Sequence, residues 1–243
     1  MFRSRTFAAV LAASVALSPM AAVAAPFGKA RSAPAAASVT EGLERHDGLL
    51  TVFVDRKAGK VLLRLPAADA EGLHGRYLYQ TYLRAGLGSN PVGLDRSAPG
   101  DTQVVAFRRV GGKVVVQFEN HGFIAARGSP AEKKAVRESF AVSNVWAGEV
   151  VQQEADGAVT VDISGFLTRD TQGVARRLRE TGQGDFRLAA DLSFPDTGAG
   201  AVLAFPMNIE LEATQTFVSD NPGPEVRGIL LAPRNVTLPL HHS

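Results

Sequence analysis

The segment QVVAFRRVGGKVVVQF, residues 103–118, carries the clearest structural signal in the chain. Two runs rich in valine and phenylalanine, Gln103–Val110 and Lys113–Phe118, flank the pair Gly111-Gly112. β-branched and aromatic residues favour strands, and a glycine pair is typical of a tight turn. The segment therefore predicts two antiparallel strands joined by a hairpin.

The same pattern recurs along the chain at intervals of about ten residues, a spacing typical of β-rich domains. Two more hairpins are predicted, Leu49–Asp55 with Lys60–Leu65 around Gly59, and Glu149–Gln153 with Ala158–Ile163 around Asp156-Gly157. Further predicted strands are Arg76–Leu83, Phe186–Ser193, Ala201–Phe205, Ile209–Val218, Val226–Leu231 and Asn235–Leu240. Along Arg76–Leu83, Tyr77 and Tyr79 fall on one face because side chains alternate.

Helices are fewer. Ser129-Pro130-Ala131-Glu132 is a capping box with proline at the first helical position, and it predicts a helix over Pro130–Ala141 that buries Val136 and Phe140. Asp170 is expected to cap a second helix over Thr171–Glu180, with Val174 and Leu178 on its buried face. A helical turn over Ala67–Leu73 is a third candidate.

Together these signals predict a β-rich α+β fold. Antiparallel hairpins are expected to form a sandwich or a partly open barrel with two or three short helices. The predicted domain covers residues 41–243 and is expected to be truncated at its C-terminal end.

The N-terminal sequence predicts that the protein is exported. Residues 1–24 combine Arg3 and Arg5 with an apolar stretch over Phe7–Leu17 and small residues before a cleavage site after Ala24, as in a Sec-type signal peptide. Residues 25–40, rich in alanine, serine and proline, are predicted to be a flexible leader. The expected location is therefore periplasmic or secreted, with no membrane span after signal cleavage.

Composition excludes several classes of function. The chain has 26 Lys plus Arg and 24 Asp plus Glu, and Arg3 and Arg5 lie in the signal peptide, so the mature chain is neutral. A neutral chain has no electrostatic attraction to nucleic acid or to anionic membrane. Because cysteine is absent, the chain has no disulfide, no thiolate nucleophile and no cysteine-ligated zinc.

No catalytic or metal-binding motif stands out. The five histidines, His46, His74, His121, His241 and His242, lack the spacing of an HExxH zinc site, and no serine hydrolase motif is present. His241 and His242 are expected to point to opposite faces of an extended chain. We therefore assign no catalytic and no metal-ligating residue.

The densest unusual segment is residues 86–96, GLGSNPVGLDR. Its glycines allow close backbone approach, but it lacks the spacing of a phosphate-binding loop. It is either an ordered surface turn or a contact loop for a partner or peptide. The candidate contact residues are Gly86, Gly88, Asn90, Asp95 and Arg96.

A further signal is the order of five segments along the chain. The segments are Gly86–Arg96, Val104–Arg109, Glu138–Ser143, Val161–Asp170 and Phe205–Glu210. In this order they resemble the N-terminal domain of unknown function in large secreted bacterial zinc-dependent metalloproteases, a metzincin-like HExxH family, and the resemblance covers about residues 42–242. It implies a downstream catalytic domain that carries the zinc site, so zinc is expected there and no cofactor in this chain.

Three functions are therefore weighed. The first is a non-catalytic accessory domain of such a metalloprotease, present as a fragment, whose partner is the downstream catalytic domain or a peptide or protein. The second is a stand-alone periplasmic binding or interaction module. The third is an independent enzyme with a site built from Asp95, Arg96, Glu119 and His121.

Overall fold

The computed structural model describes residues 38–243. The predicted signal peptide and most of the predicted leader lie outside these residues. In the described end of the leader, Ser38 Oγ and Val39 N donate hydrogen bonds to Gln152 Oε1, at 2.8 and 3.0 Å. No helix in residues 38–243 is long and apolar enough to cross a membrane.

Two antiparallel sheets dominate the described residues. The eight-stranded sheet has the order β1-β2-β3-β9-β8-β7-β6-β4. Its strands are β1 (Glu44–His46), β2 (Thr51–Asp55), β3 (Lys60–Leu65), β4 (Leu73–Tyr79), β6 (Gln103–Val110), β7 (Lys113–Phe118), β8 (Ser143–Gln153) and β9 (Val159–Asp162). The three predicted hairpins, β2-β3, β6-β7 and β8-β9, are all formed.

The six-stranded sheet has the order β10-β13-β14-β5, and two short strands, β11 and β12, also pair with β13. Its strands are β5 (Thr81–Leu83), β10 (Arg187–Leu188), β11 (Phe194–Pro195), β12 (Val202–Phe205), β13 (Asn208–Val218) and β14 (Asn235–His242). The chain passes from the edge of one sheet to the edge of the other at Gln80, between β4 and β5.

Four short α-helices accompany the sheets in residues 38–243: α1 (Pro130–Ser139), α2 (Ser164–Leu167), α3 (Val174–Glu180) and α4 (Pro224–Ile229). The predicted β-rich α+β class is confirmed, and the sheets are not closed into a barrel. The predicted capping box is also present, because Ser129 Oγ accepts a hydrogen bond from Glu132 N while Glu132 Oε2 accepts one from Ser129 N.

Buried side chains form two cores. The first lies on the inner face of the eight-stranded sheet and extends to α2 and β13, with Phe107, Val161, Phe166 and Leu211 among its members. The second packs α3 and α4 against β5 and β14. Val174 and Leu178 are fully buried there, as predicted, and Asp170 accepts hydrogen bonds from Val174 N and Ala175 N at 2.8 and 3.1 Å.

Several predicted elements were wrong. The predicted strand Val226–Leu231 is mostly helix α4, because Pro224 sets the first helical turn and the Gln183 side chain accepts hydrogen bonds from Glu225 N and Val226 N. The predicted helical turn Ala67–Leu73 is absent, since Asp69 Oδ1 accepts hydrogen bonds from Glu71 N and Leu73 N and holds a turn.

Three further predictions need correction. The single strand Arg76–Leu83 divides between the two sheets as β4 and β5. In Phe186–Ser193 only Arg187–Leu188 is a strand, followed by a 3-10 turn. Helix α1 buries none of its residues, and Phe140, which follows it, is 38% exposed and stacks on Phe123 instead of entering the core.

Candidate functional site

A cavity of about 580 Å³ opens beside β4, and we call it the edge cavity. Its apolar lining comes from the first core and from residues beside it. The apolar lining residues are Leu49, Leu50, Leu63, Tyr77, Leu78, Tyr79, Val105, Phe107, Ile163, Phe166, Leu167, Met207, Ile209 and Leu211. Its polar lining is Arg76, Gln80, Thr102, Asn208, His242 and Ser243. A concave, mainly apolar lining with a few polar groups is typical of a binding site.

The two ends of the eight-stranded sheet both border the edge cavity. Strand β4 is the last strand at one end, and Leu49 and Leu50 lead into β2 near the other. Leu49 N donates a hydrogen bond to the Phe205 carbonyl at 2.7 Å, which ties this second end to β12 rather than to β4. Within residues 38–243 these two ends of the sheet therefore do not pair with each other.

A buried hydrogen bond joins the two sheets on the cavity wall. The Tyr79 hydroxyl lies 2.8 Å from His242 Nδ1, and Arg169 Nη2 donates to the same hydroxyl at 3.3 Å. Because a guanidinium only donates, the hydroxyl oxygen accepts from Arg169 and its single hydrogen goes to Nδ1. This assigns the proton of the neutral His242 ring to Nε2, which has no hydrogen-bond partner among the described residues.

Burial keeps both groups neutral. It lowers the pKa of His242 to about 3, and the nearby positive charge of Arg169 acts in the same direction. Burial also raises the pKa of Tyr79 to about 12. At neutral pH neither side chain therefore carries a charge or exchanges a proton readily.

The Arg169 guanidinium is held by aromatic rings. It lies 4.2 Å from the centre of the Phe166 ring, and the rings of Phe118 and Tyr79 are at 5.4 and 5.7 Å. Its Nε donates to the Phe166 carbonyl at 3.0 Å, and burial lowers its pKa. No carboxylate pairs with it among residues 38–243, so ring faces and neutral oxygens stabilise the charge.

One side of β4 has no strand partner in the part of the chain that the structure describes. Gln80 and Ser243 exchange both backbone hydrogen bonds, each at 2.9 Å, on the side of the chain away from β6. Tyr77 and Tyr79 pair with residues of β6. The Val104 carbonyl, on the β6 residue between their two partners, points away from β4 and accepts a hydrogen bond from Glu119 N, just after β7. Since alternate residues direct their backbone groups to the same side, Arg76 and Leu78 present theirs to the open edge.

The predicted contact loop forms one compact turn away from the edge cavity. Leu87, Val92 and Leu94 anchor it in the second core. Leu87 N donates to the Leu94 carbonyl at 2.7 Å, which brings Gly86 close to the returning chain.

Of the five candidate contact residues, Gly88, Asn90 and Arg96 are exposed, while Gly86 and Asp95 are half-buried. None of the five lines the edge cavity. A role for this loop in binding a partner stays a prediction.

Of the four residues considered for an independent enzyme, only Glu119 and His121 are in contact with each other. Glu119 pairs with Arg76 at 2.7 Å and with Arg108 at 3.2 Å, and His121 lies 3.7 Å from it. No hydrogen bond or ion pair joins Asp95 or Arg96 to this group within residues 38–243.

The two adjacent histidines point to opposite faces of β14, as predicted. His241 stacks on Tyr82 with ring centres 4.9 Å apart and bonds to Glu210, whereas His242 is buried against Tyr79. Within the described residues no group of three His, Asp or Glu side chains is arranged to hold a metal ion.

Sequence reasoning missed the Tyr79, Arg169 and His242 cluster. Its members come from β4, the segment after α2, and β14, so no local spacing relates them. The one sequence signal related to this cluster was the alternation of side chains along Arg76–Leu83, which placed Tyr77 and Tyr79 on the same face of the predicted strand.

The fold and the edge cavity define a β-rich α+β domain with two open antiparallel sheets. Residues 98–243 match the family model described as a domain of unknown function, DUF5117, and the chain belongs to this family. The matched region begins before β6 and includes β14, so it contains part of the cavity lining, while β4 precedes it. No curated protein and no solved structure matches the chain.

Proposed function

We propose that the chain is a non-catalytic accessory domain of an exported bacterial zinc-dependent metalloprotease and that it binds polypeptide in the edge cavity. The link to the protease rests on the order of the segments from Gly86–Arg96 to Phe205–Glu210, most of which fall inside the family match. Zinc belongs, in this proposal, to the downstream catalytic domain. The predicted export signal is consistent with a periplasmic or secreted location.

The observation that supports binding is the chemistry of the cavity wall. Most of the lining is aliphatic or aromatic. Tyr79 and His242 are buried and hydrogen-bonded to each other. Burial keeps both side chains neutral near neutral pH, because it raises the pKa of Tyr79 to about 12 and lowers that of His242 to about 3. Such a wall suits apolar side chains better than it suits acid–base chemistry near neutral pH.

The native size of the protein tests the link to the protease. An antibody raised against residues 42–236 is used on periplasm and medium of the native host, beside the purified chain. We expect a much larger band that contains zinc by metal analysis. A band at the chain's own size contradicts the accessory role and favours the stand-alone periplasmic binding module.

A further inference from the structure

We propose that the connection between β7 and β8, residues 120–142, binds an anionic lipid surface. We call this connection the α1 excursion, because it contains α1. The contact lies at the interface between lipid and water and does not cross the bilayer. This inference goes beyond the protease role and the edge cavity proposed above and does not depend on either.

The α1 excursion takes almost no part in the packing of the domain. It leaves the eight-stranded sheet between β7 and β8, which lie two and three places in from β4. Helix α1 buries none of its residues, and neither core contains a residue of the excursion. Because an isolated helix of ten residues is only marginally stable in water, a surface on which α1 lies stabilises it.

Four large apolar side chains of the excursion are exposed: Phe123, Ile124, Phe140 and Val142. The rings of Phe123 and Phe140 stack with their centres 4.1 Å apart, which brings the two ends of the excursion together. Ile124, which follows Phe123, is 63% exposed. None of the four lines the edge cavity or the cleft of about 540 Å³ at the base of the excursion. These side chains therefore project from the surface and do not line a groove.

Cations lie on the same side of α1 as the aromatic stack. Lys133, Arg137 and Phe140 are spaced by four and three residues, so they follow one side of the helix. Neither Lys133 nor Arg137 pairs with a carboxylate among residues 38–243. The ion pair of α1 in these residues joins Lys134 to Glu138 on another side of the helix. The side that carries Phe140 thus presents cations that are free to meet an anion.

The local charge of the excursion complements an anionic surface. Four basic and two acidic residues give it a net charge of +2: Arg127, Lys133, Lys134, Arg137, Glu132 and Glu138. Because the predicted mature chain is neutral, the remainder carries a charge of −2. Charges further apart than about 8 Å are largely screened from one another at physiological ionic strength. The local excess, and not the neutrality of the whole chain, therefore decides the attraction.

The exposed apolar side chains favour lipid over an acidic polypeptide. A basic helix with aromatic and aliphatic residues beside its cations is typical of interfacial binding, in which the apolar groups enter the headgroup region and the cations meet phosphates. An acidic polypeptide neutralises the same cations, but it buries the projecting Phe123 and Ile124 only where it supplies a matching pocket. A bilayer receives them without a fixed shape.

Binding is measured by flotation of the exported, processed protein with lipid vesicles. One set of vesicles is phosphatidylcholine alone, and in the other about one third of the lipid is phosphatidylglycerol, which is anionic. We expect the affinity for the anionic vesicles to be higher by about tenfold or more. We also expect this difference to disappear at about 1 M salt, where the screening length falls to about 3 Å.

Lys133→Gln and Lys57→Gln are matched changes of charge. Both lysines are exposed, but Lys57 lies in the turn between β2 and β3, outside the excursion. We expect Lys133→Gln to weaken binding to the anionic vesicles by about fivefold, the effect of one cation near an anionic surface. Lys57→Gln is expected to bind like the wild type.

Ile124→Ser and Leu231→Ser are matched changes of an exposed apolar side chain. Leu231 is fully exposed and lies after α4, outside the excursion. We expect Ile124→Ser to weaken binding to the anionic vesicles by about tenfold, because the Ile124 side chain enters the interface. Leu231→Ser is expected to bind like the wild type. All four variants replace exposed side chains, so we expect the wild-type melting temperature in each.

Three results overturn the proposal. The first is the absence of binding to the anionic vesicles, or equal affinity for anionic and neutral vesicles. The second is an equal effect of the excursion variants and their matched controls. The third is tighter binding to polyglutamate than to the anionic vesicles, unchanged in Ile124→Ser, which assigns the excursion to an acidic polypeptide. None of these results involves the native size of the protein or the edge cavity, so failure here is distinct from failure of the proposed function.

Discussion

The Tyr79 hydroxyl and His242 Nδ1, 2.8 Å apart, connect the edge strand of one sheet to the other sheet across 163 residues of sequence. Arg169 completes the arrangement by donating to the same hydroxyl. Removing the hydroxyl therefore leaves the buried His242 Nδ1 without a donor and takes from Arg169 one of its hydrogen bonds, while the bond from Arg169 Nε to the Phe166 carbonyl remains.

Removing the Tyr79 hydroxyl tests this dependence. We expect Tyr79→Phe to lower the free energy of unfolding by about 1–3 kcal/mol, the cost of leaving a buried acceptor unsatisfied. Urea denaturation measures the change. The control is Tyr82→Phe, on the outer face, for which we expect a change within about 0.5 kcal/mol. Equal effects of the two variants contradict the role of the buried hydrogen bond.

The neutral state of His242 predicts a pH dependence of stability. Burial lowers its folded-state pKa to about 3, whereas the unfolded chain binds the proton near the ordinary value of 6.5. Between these values the unfolded state holds more protons, so stability is lost as pH falls from about 6.5 toward 3. The decrease is expected to be shallower in His242→Asn, whose amide oxygen still accepts from Tyr79.

Urea melts of the wild type and of His242→Asn at several pH values give the two slopes of stability against pH. Parallel slopes for wild type and His242→Asn show that the buried histidine is not responsible.

Gly86 is expected to be sensitive to substitution. A Cβ at this position lies 2.2 Å from the Leu94 carbonyl oxygen and 2.6 Å from backbone atoms of Asp95, so the loop has to move. We expect Gly86→Ala to cost about 1–3 kcal/mol of unfolding free energy.

Gly228 in α4 provides the matched control for Gly86. A Cβ there meets no atom within 4 Å, and alanine restricts the unfolded chain more than glycine does. We therefore expect Gly228→Ala to be neutral or to stabilise by about 0.5–1 kcal/mol. Thermal melts of both variants measure the difference in stability. A Gly86→Ala variant that melts at the wild-type temperature contradicts the close approach of Gly86 to the Leu94 carbonyl.

Phe140 and Phe217 are expected to differ despite their identical side chains. Phe140 is 38% exposed and stacks on Phe123 outside both cores, whereas Phe217 is fully buried on β13. We expect Phe217→Ala to destabilise by about 3–5 kcal/mol and Phe140→Ala by about 1 kcal/mol or less. Similar losses in denaturant melts contradict the placement of Phe140 outside the core.

Local patterns in the sequence were reliable where the stabilising contacts are also local. The hairpin over residues 103–118 needed only strand-forming runs and a glycine turn, and the capping box at Ser129 closes within four residues. The same locality explains the failures. Val226 lies in a helix and not in the predicted strand, in part because the side chain of Gln183, distant in sequence, accepts a hydrogen bond from its N–H. The helix and strand propensities of the segment do not contain that contact.

Alternation and contacts between neighbours a few residues apart were sufficient to predict the β-rich class, the three hairpins, the first helix cap and the opposite orientations of His241 and His242. Three features could not be predicted in this way: where the eight-stranded sheet ends, which side of β4 is unpaired within the described residues, and the contact of Tyr79 with Arg169 and His242. These features arise from packing and hydrogen bonds between segments far apart in the chain, where burial and not local preference sets the free energy.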